Sequence, residues 1–279
     1  MEALEPAAYR DVVRRALAED LGWGDATTSA VVAGEARAAG VLSLRRAGVV
    51  AGLDAAIEAF RQLDPALTVE VYQPDGSVCA ARARIARIQG LASSQLTAER
   101  TALNLLGHLC GIATLTRRMV DAAGGRLQIV DTRKTLPSLR ALEKYAVRVG
   151  GGINGRFALD DGIVIKANHL RLAGSVSAAV ALARGNRPDV PVQVEVASLE
   201  EVDEALAAGA AVLLIREPAA ADLRAAKQRC EGRARIEVSG RYGPDELDAL
   251  VAAGADLVSV ACLIDSAPAV DVTLELDRA

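Results

Sequence analysis

Aromatic residues are scarce in this sequence, at 3% of its 279 positions, so any core it builds must be filled by Ala, Val, Leu and Ile. No uninterrupted apolar stretch approaches the roughly 18 residues that cross a bilayer, and no membrane segment is expected. The first twenty residues lack the basic start and long apolar centre of a secretory leader, and read as an acidic amphipathic helix. The four cysteines, Cys79, Cys110, Cys230 and Cys262, show no CxxC spacing. They read as buried thiols of a reducing compartment, which makes a cytoplasmic location the expectation. There is no basic excess either. A net charge of −4 argues against nucleic acid as a partner.

What is present indicates a folded chain. Hydrophobic residues at 51% and charged residues at 24% exclude disorder, and the length suits one large domain or two ordinary ones. The pattern changes near residue 125. Before it, a helix is expected over Pro6–Glu19, then a polar loop over 22–28, strand-like runs at Ala39–Leu44 and Leu67–Tyr72, and a helix over Leu53–Leu63 between those runs. An Arg-punctuated strand near Ala80–Ile88 follows, then a long helical stretch from Ser94 to Ala122, expected to break near Gly111. Beyond it, apolar runs recur at Leu127–Val130, Ile163–Ile165, Val192–Val196, Val212–Ile215, Arg235–Val238 and Leu257–Val260. Ala-rich helical patterns such as Leu199–Ala208, Ala219–Gln228 and Pro244–Ala253 separate the later ones. Short buried strands alternating with ten-residue helices indicate parallel βα units, and six or seven of them favour an incomplete (β/α) barrel over a doubly wound sheet.

The charge is uneven. Residues 131–171 carry +4 while the remainder carries −8, which points to a local anion site. Within that segment Arg140, Lys144 and Arg148 recur every four residues and read as an exposed helix stripe. The other cations stand at strand ends, where α/β barrels gather their functional groups. Thr132, Arg133 and Lys134 follow the first run, and Lys166 and His169 the second. Glu195 lies inside the third, Arg216 and Glu217 follow the fourth, Ser239, Gly240 and Arg241 the fifth, and Ser259 lies beside Val260. Only four lysines occur against 28 arginines, and two of them, Lys134 and Lys166, fall at these ends, as compact point charges where a forked guanidinium would not fit. Glu195 reads as a metal-linked or transition-state-stabilising group, or as the structural partner of an arginine. His169 reads as an acid–base group or a hydrogen-bonded scaffold; His108, on an apolar helix face, reads as core. Gly150-Gly151-Gly152 permits a close backbone approach or caps a helix, and the loop after it carries Arg156 toward the same mouth.

These residues resemble a known family. The run Asp131-Thr132-Arg133-Lys134-Thr135-Leu136-Pro137-Ser138-Leu139-Arg140-Ala141-Leu142-Glu143-Lys144-Tyr145-Ala146-Val147 is followed by Gly150–Gly152, Arg156 and Ile165-Lys166-Ala167-Asn168-His169. Together they closely resemble quinolinate phosphoribosyltransferase, also called carboxylating nicotinate-nucleotide pyrophosphorylase. Further matches run almost end to end, among them Glu19–Gly22, Gly24-Asp25, Thr27-Thr28, Glu99–Asn104, Gly111–Thr114, Val194-Glu195-Val196, Glu237–Gly240 and Ser259. The resemblance implies an N-terminal α/β sandwich over residues 1–110, to which the tail 270–279 returns, and an open α/β barrel over 111–269. It implies a homodimer with active sites at the subunit interface, association beyond a dimer being left open. It implies a pentosyltransferase of NAD biosynthesis joining quinolinate to phosphoribosyl pyrophosphate, with release of pyrophosphate and carbon dioxide to give nicotinate mononucleotide. By matching position, Arg133, Lys134, Arg156 and Lys166 would line the pocket for the two quinolinate carboxylates, and Arg100 would reach in from the neighbouring subunit. Glu195 would act on the developing ribosyl charge or on Mg²⁺, the implied cofactor. Thr132, His169, Ser239, Gly240 and Ser259 would complete the substrate site.

The sequence also departs from the family pattern. The usual Asn-His-Arg is Asn154-Gly155-Arg156, the usual Lys-Asp-Asn-His is Lys166-Ala167-Asn168-His169, and the usual Leu-Asp-Asn is Ile215-Arg216-Glu217. Ser-Gly-Gly is Ser239-Gly240-Arg241, and Ser-Val-Gly is Ser259-Val260-Ala261. The carboxylate-binding cations stay, while groups expected to handle Mg²⁺ and phosphate are replaced. Two readings follow: a transferase in which Arg216 and Arg241 bind phosphate directly, or a paralogue that keeps the pyridine-carboxylate pocket for another reaction or for binding alone.

Overall fold

The structure is a computed structural model and describes residues 4–278. The chain begins with α1 (Pro6–Leu21), α2 (Ala26–Val31), β1 (Arg37–Leu44), β2 (Gly48–Val49), α3 (Leu53–Leu63), β3 (Thr68–Val71), β4 (Val78–Cys79), β5 (Arg84–Leu91) and α4 (Ala92–Ala123). It continues through β6 (Gln128–Val130), α5 (Arg140–Val149), β7 (Ile163–Ile165), α6 (Ala167–Ala173), α7 (Val176–Asn186), β8 (Val192–Glu195), α8 (Leu199–Ala207), β9 (Val212–Arg216) and α9 (Ala220–Cys230). It closes with β10 (Arg235–Gly240), a 3₁₀ turn (Pro244–Glu246), α10 (Leu247–Ala253), β11 (Leu257–Val260), α11 (Cys262–Asp265) and β12 (Val272–Arg278). Packing divides it into two compact units, one of residues up to 117, 135–151 and 263 onward, the other of 118–134 and 152–262.

The first unit is built on an antiparallel sheet ordered β12-β1-β5-β3, so the C-terminal strand lies beside the first. Tyr9, Val13 and Leu17 are the buried face of α1, which packs on α3. The polar segment at 22–28 is not wholly loop. Asp25 accepts from Thr28 N at 2.8 Å and from Thr97 Oγ1 at 3.0 Å, and this N-cap starts α2. Nor is α4 broken at Gly111. The helix runs unbroken for 32 residues, and a Cβ at Gly111 would collide with Pro268 O. Val270 N donates to Gly107 O at 3.0 Å, where a Cβ would lie 2.7 Å from Val270 O. These glycines admit a crossing strap of backbone instead of ending a helix.

The exposed stripe expected on α5 is overturned at its centre. Lys144 and its neighbour Glu143 are both 0% exposed, while Arg140 is half-buried and Arg148 exposed. Glu143 accepts from Leu136 N at 3.0 Å and pairs with His108 Nε2 at 2.8 Å. His108 is therefore the quarter-exposed partner of a buried carboxylate more than a plain core residue. Two residues after Glu143, Tyr145 donates to Asp75 Oδ2 at 2.8 Å, and the same carboxylate accepts from Gly52 N and Leu53 N. Gly150 serves both roles considered for it: it caps α5, and a Cβ there would lie 2.6 Å from Ala113 O.

The second unit carries one parallel sheet ordered β6-β11-β10-β9-β8-β7. Each strand from β7 to β11 neighbours the next in sequence, and β6 pairs with the last of them. That is a barrel's strand order left open between β6 and β7, with helices between successive parallel strands. A parallel bridge from Val130 to Ile153 extends the β6 edge. Val194, Leu213, Ile236, Val238, Val258 and Val260 are fully buried on the helix-facing side. Of the cysteines, Cys79, Cys110 and Cys230 are buried, whereas Cys262 is half-exposed and departs from the expected burial; all four are free thiols.

Candidate active site

Side chains alternate across a strand, so register decides which of them meet. Glu195 pairs with Leu214, Leu214 with Glu237, and Glu237 with Leu257, which sets these four on one face and in one layer. Below Glu195 on that face, Gln193 Nε2 donates to Glu237 Oε2 at 2.7 Å. One layer nearer the strand ends, Arg216 pairs with Ser239, Ser239 with Ser259, and Ser259 with Val130. The open sheet therefore presents Glu195, Arg216, Ser239 and Ser259 from four consecutive strands at one mouth. Ser259 is 6% exposed and Arg216 exposed. Gly240 is needed for a close approach, since a Cβ there would lie 2.6 Å from the Tyr242 ring. Arg241 follows on the exposed side.

The loop after β6 contributes the cations. Asp131, 2% exposed, accepts from Asn154 Nδ2 at 2.6 Å and Gly155 N at 2.8 Å, while its own N–H donates to Ile153 O. This carboxylate staples the 153–156 segment to the strand end. Gly155 fits because a Cβ would lie 2.9 Å from Asp131 O. Arg156 follows, and its Nη1 donates to Gly162 O at 3.2 Å. Burial, then the charge of Arg133, hold the Arg156 guanidinium below its ordinary pKa, with Asp161 acting the other way. Arg133 and Arg156 are thus near enough for their like charges to oppose each other. Arg133 Nε is buried and has no hydrogen-bond partner among the described residues. Lys134 is exposed, its backbone N–H bonded to Thr132 Oγ1 at 3.1 Å.

Lys166 extends from the end of β7, exposed, and its backbone N–H donates to His169 Nδ1 at 2.9 Å. That bond assigns Nδ1 as an acceptor and ties the His169 ring to the start of α6, the scaffold part of its two readings. The Glu195 side chain is half-buried and, among the described residues, without a hydrogen bond or ion pair. It lines a cavity of about 480 Å³ together with Ser198, Arg216, Glu217 and Asp222. Among the described residues no three His, Cys, Asp or Glu side chains come together as metal ligands. The Glu195 carboxylate has a guanidinium on the adjacent strand and no converging set of acids among the described residues, a poor donor set for Mg²⁺ held by protein groups alone. Arg100 lies on the exposed side of α4, in the first unit.

The role of Asp131 as a staple for Asn154 and Gly155, and the Gln193–Glu237 pair, were not read from the sequence. Their one local signal was position: a polar residue directly after, or inside, an apolar strand run.

Known proteins share this chain's sequence and fold over nearly its whole length. The sequence model for the N-terminal domain of quinolinate phosphoribosyl transferase matches residues 25–110, and that for its C-terminal domain matches residues 112–275. A Mycobacterium leprae protein named nicotinate-nucleotide pyrophosphorylase (carboxylating) is 40% identical over 96% of this chain and 97% of its own length. The crystal structure of NadC from Streptococcus pyogenes superposes with a TM-score of 0.96 at 38% identity, covering 100% of both chains. That of the nicotinate-nucleotide pyrophosphorylase from Francisella tularensis gives 0.94 at 34% identity, over 99% of this chain and 98% of the other. This chain belongs to the quinolinate phosphoribosyl transferase family, whose two domains it carries in order.

Proposed function

We propose that the chain joins quinolinate to phosphoribosyl pyrophosphate and releases pyrophosphate and carbon dioxide, giving nicotinate mononucleotide for NAD synthesis. The observation that carries this reading is the buried Arg133 Nε, which has no hydrogen-bond partner among the described residues, beside Arg156, whose like charge opposes it. Without a ligand such a pair is unfavourable; an anion with two adjacent carboxylates reverses the sign. Quinolinate is such an anion. Lys134 and Lys166 supply point charges from the ends of β6 and β7, and Thr132 and His169 hold the backbones of those two lysines. Arg100 adds a cation from the neighbouring subunit of a homodimer.

In the first step the pyridine nitrogen lone pair attacks the anomeric carbon, and the bond from that carbon to the diphosphate oxygen breaks, the electron pair leaving with diphosphate. Positive charge develops on the ribose as the bond lengthens. The unpaired Glu195 carboxylate is available to stabilise it, and a half-buried position strengthens that effect over bulk water. Ser239, Gly240 and Ser259 offer hydroxyl and backbone groups for the ribose 5-phosphate. In the second step the bond between C2 and its carboxylate breaks. Its electrons stay on C2, stabilised by the adjacent ribosylated nitrogen, and a solvent proton completes nicotinate mononucleotide. The protein's part there is to hold the ring in place.

The alternative in which the pocket serves another reaction or binding alone draws no support from relatives that share the chain's full length. An assay of micromolar protein with quinolinate, phosphoribosyl pyrophosphate and Mg²⁺ tests the proposal. Nicotinate mononucleotide with equimolar carbon dioxide supports it, and the absence of both sinks it.

A further inference from the structure

We infer that Arg216 supplies from the protein itself the positive charge that offsets the diphosphate of the ribosyl donor, and that no divalent ion is held by the protein at Glu195. This rests on the transferase reading above.

Arg216 is the last residue of β9 and shares a sheet face with Glu195 on the neighbouring strand. Both residues line the same cavity of about 480 Å³. The Arg216 side chain has no hydrogen bond or ion pair among the described residues, although Glu195, Glu217 and Asp222 line that cavity too. Glu217 is drawn elsewhere. Its backbone is left-handed at φ 43°, its N–H donates to Ser239 O at 3.0 Å, and its Cγ lies against Gly240. Asp222 sits in the first turn of α9, where it answers the positive helix end. Among the described residues these three carboxylates form no three-ligand cluster. A cation placed beside Glu195 would also meet a permanent guanidinium charge on the next strand, which disfavours it.

The same arrangement suits a diphosphate. A guanidinium presents five donors in a fork that matches phosphate oxygens and carries its charge at every working pH. The N-cap of α9, Ala219, lines the cavity and has no side-chain cap bond, so the first amides of that 11-residue helix are not answered by its cap residue. The N-terminus of α8 differs: Ser198 Oγ accepts from Glu201 N, and Glu201 reaches back to Ala197 N.

The test uses the full-length protein and two binding measurements that do not depend on turnover. Inorganic diphosphate is titrated calorimetrically in EDTA, and Mn²⁺ is titrated with detection of the free ion by electron paramagnetic resonance. The proposal expects metal-free diphosphate binding that Arg216→Ala weakens at least tenfold, with quinolinate affinity unchanged. It expects wild-type protein to bind no stoichiometric Mn²⁺ below the millimolar range, and Arg216→Asp, which adds a carboxylate beside Glu195, to bind it at least tenfold more tightly. Diphosphate affinity unaltered in Arg216→Ala would overturn it, as would a wild-type Mn²⁺ site that Glu195→Gln abolishes. Either result stands apart from the transferase assay, which can succeed or fail independently.

Discussion

Replacing Arg133 by alanine separates a binding role from a structural one, because the two roles predict stability changes of opposite sign. In the ligand-free protein Arg133 keeps a buried Nε without a partner and opposes the charge of Arg156. A buried donor left unbonded costs about 1–3 kcal/mol. Loss of the packed arginine stem returns on the order of 1 kcal/mol in the other direction. Arg133→Ala should therefore leave the apo protein as stable as wild type or up to about 2 kcal/mol more stable, which raises Tm by roughly 0–4 °C for a chain of this size. Binding moves the opposite way. Two charge-assisted hydrogen bonds to a carboxylate contribute about 1.5 kcal/mol each at the low end, so quinolinate affinity should fall at least 100-fold. Isothermal titration and differential scanning calorimetry on the same samples give both numbers. An affinity within threefold of wild type, or an apo Tm lowered by more than about 4 °C, would refute the assignment of Arg133 to a ligand site.

Other positions make separate claims. Asp131→Ala removes the acceptor shared by Asn154 and Gly155, and should release the Arg156 segment, raising KM for quinolinate at least tenfold; an unchanged KM means the staple does not position Arg156. Glu143→Ala leaves Leu136 N–H and His108 without their acceptor, and should lower stability by about 3 kcal/mol in urea unfolding. Gly52, at φ 84°, has no room for a Cβ against Leu109, so Gly52→Ala should lower Tm by several degrees. Burial pushes the Cys110 thiol up to about 12, which at pH 8 leaves roughly one thiolate in ten thousand. A native-state thiol titration should then count one fast equivalent, from half-exposed Cys262, and four after denaturation.

Much of the second unit was legible because parallel strands are buried on both faces and read as apolar runs with polar residues directly beyond them. That pattern located β6 to β11 and the groups at their ends, Arg133, Lys134, Lys166, Arg216, Ser239 and Ser259 among them. Features set by distant packing were not legible. Gly111 looks like a helix breaker until the 268–270 strap is seen crossing it, and the spacing of Arg140, Lys144 and Arg148 describes an exposed face only if nothing covers the helix. Lys144 is 0% exposed in the fold. The short helix α2 was hidden because Asp25 and Thr28 look like loop residues until one caps the other. The role of Asp131 was not legible for a related reason: it holds Asn154 and Gly155, a relation that no local spacing announces.

The central claim is that the paired guanidiniums select a pyridine with two carboxylates and that the chain ribosylates it. Mass spectrometry of the reaction with phosphoribosyl pyrophosphate and equimolar ring-deuterated quinolinate and unlabelled nicotinate tests this in one tube. The account predicts nicotinate mononucleotide carrying only the quinolinate label, with one carbon dioxide released per product. Unlabelled product in comparable amount, or quinolinate left unconsumed, would contradict it.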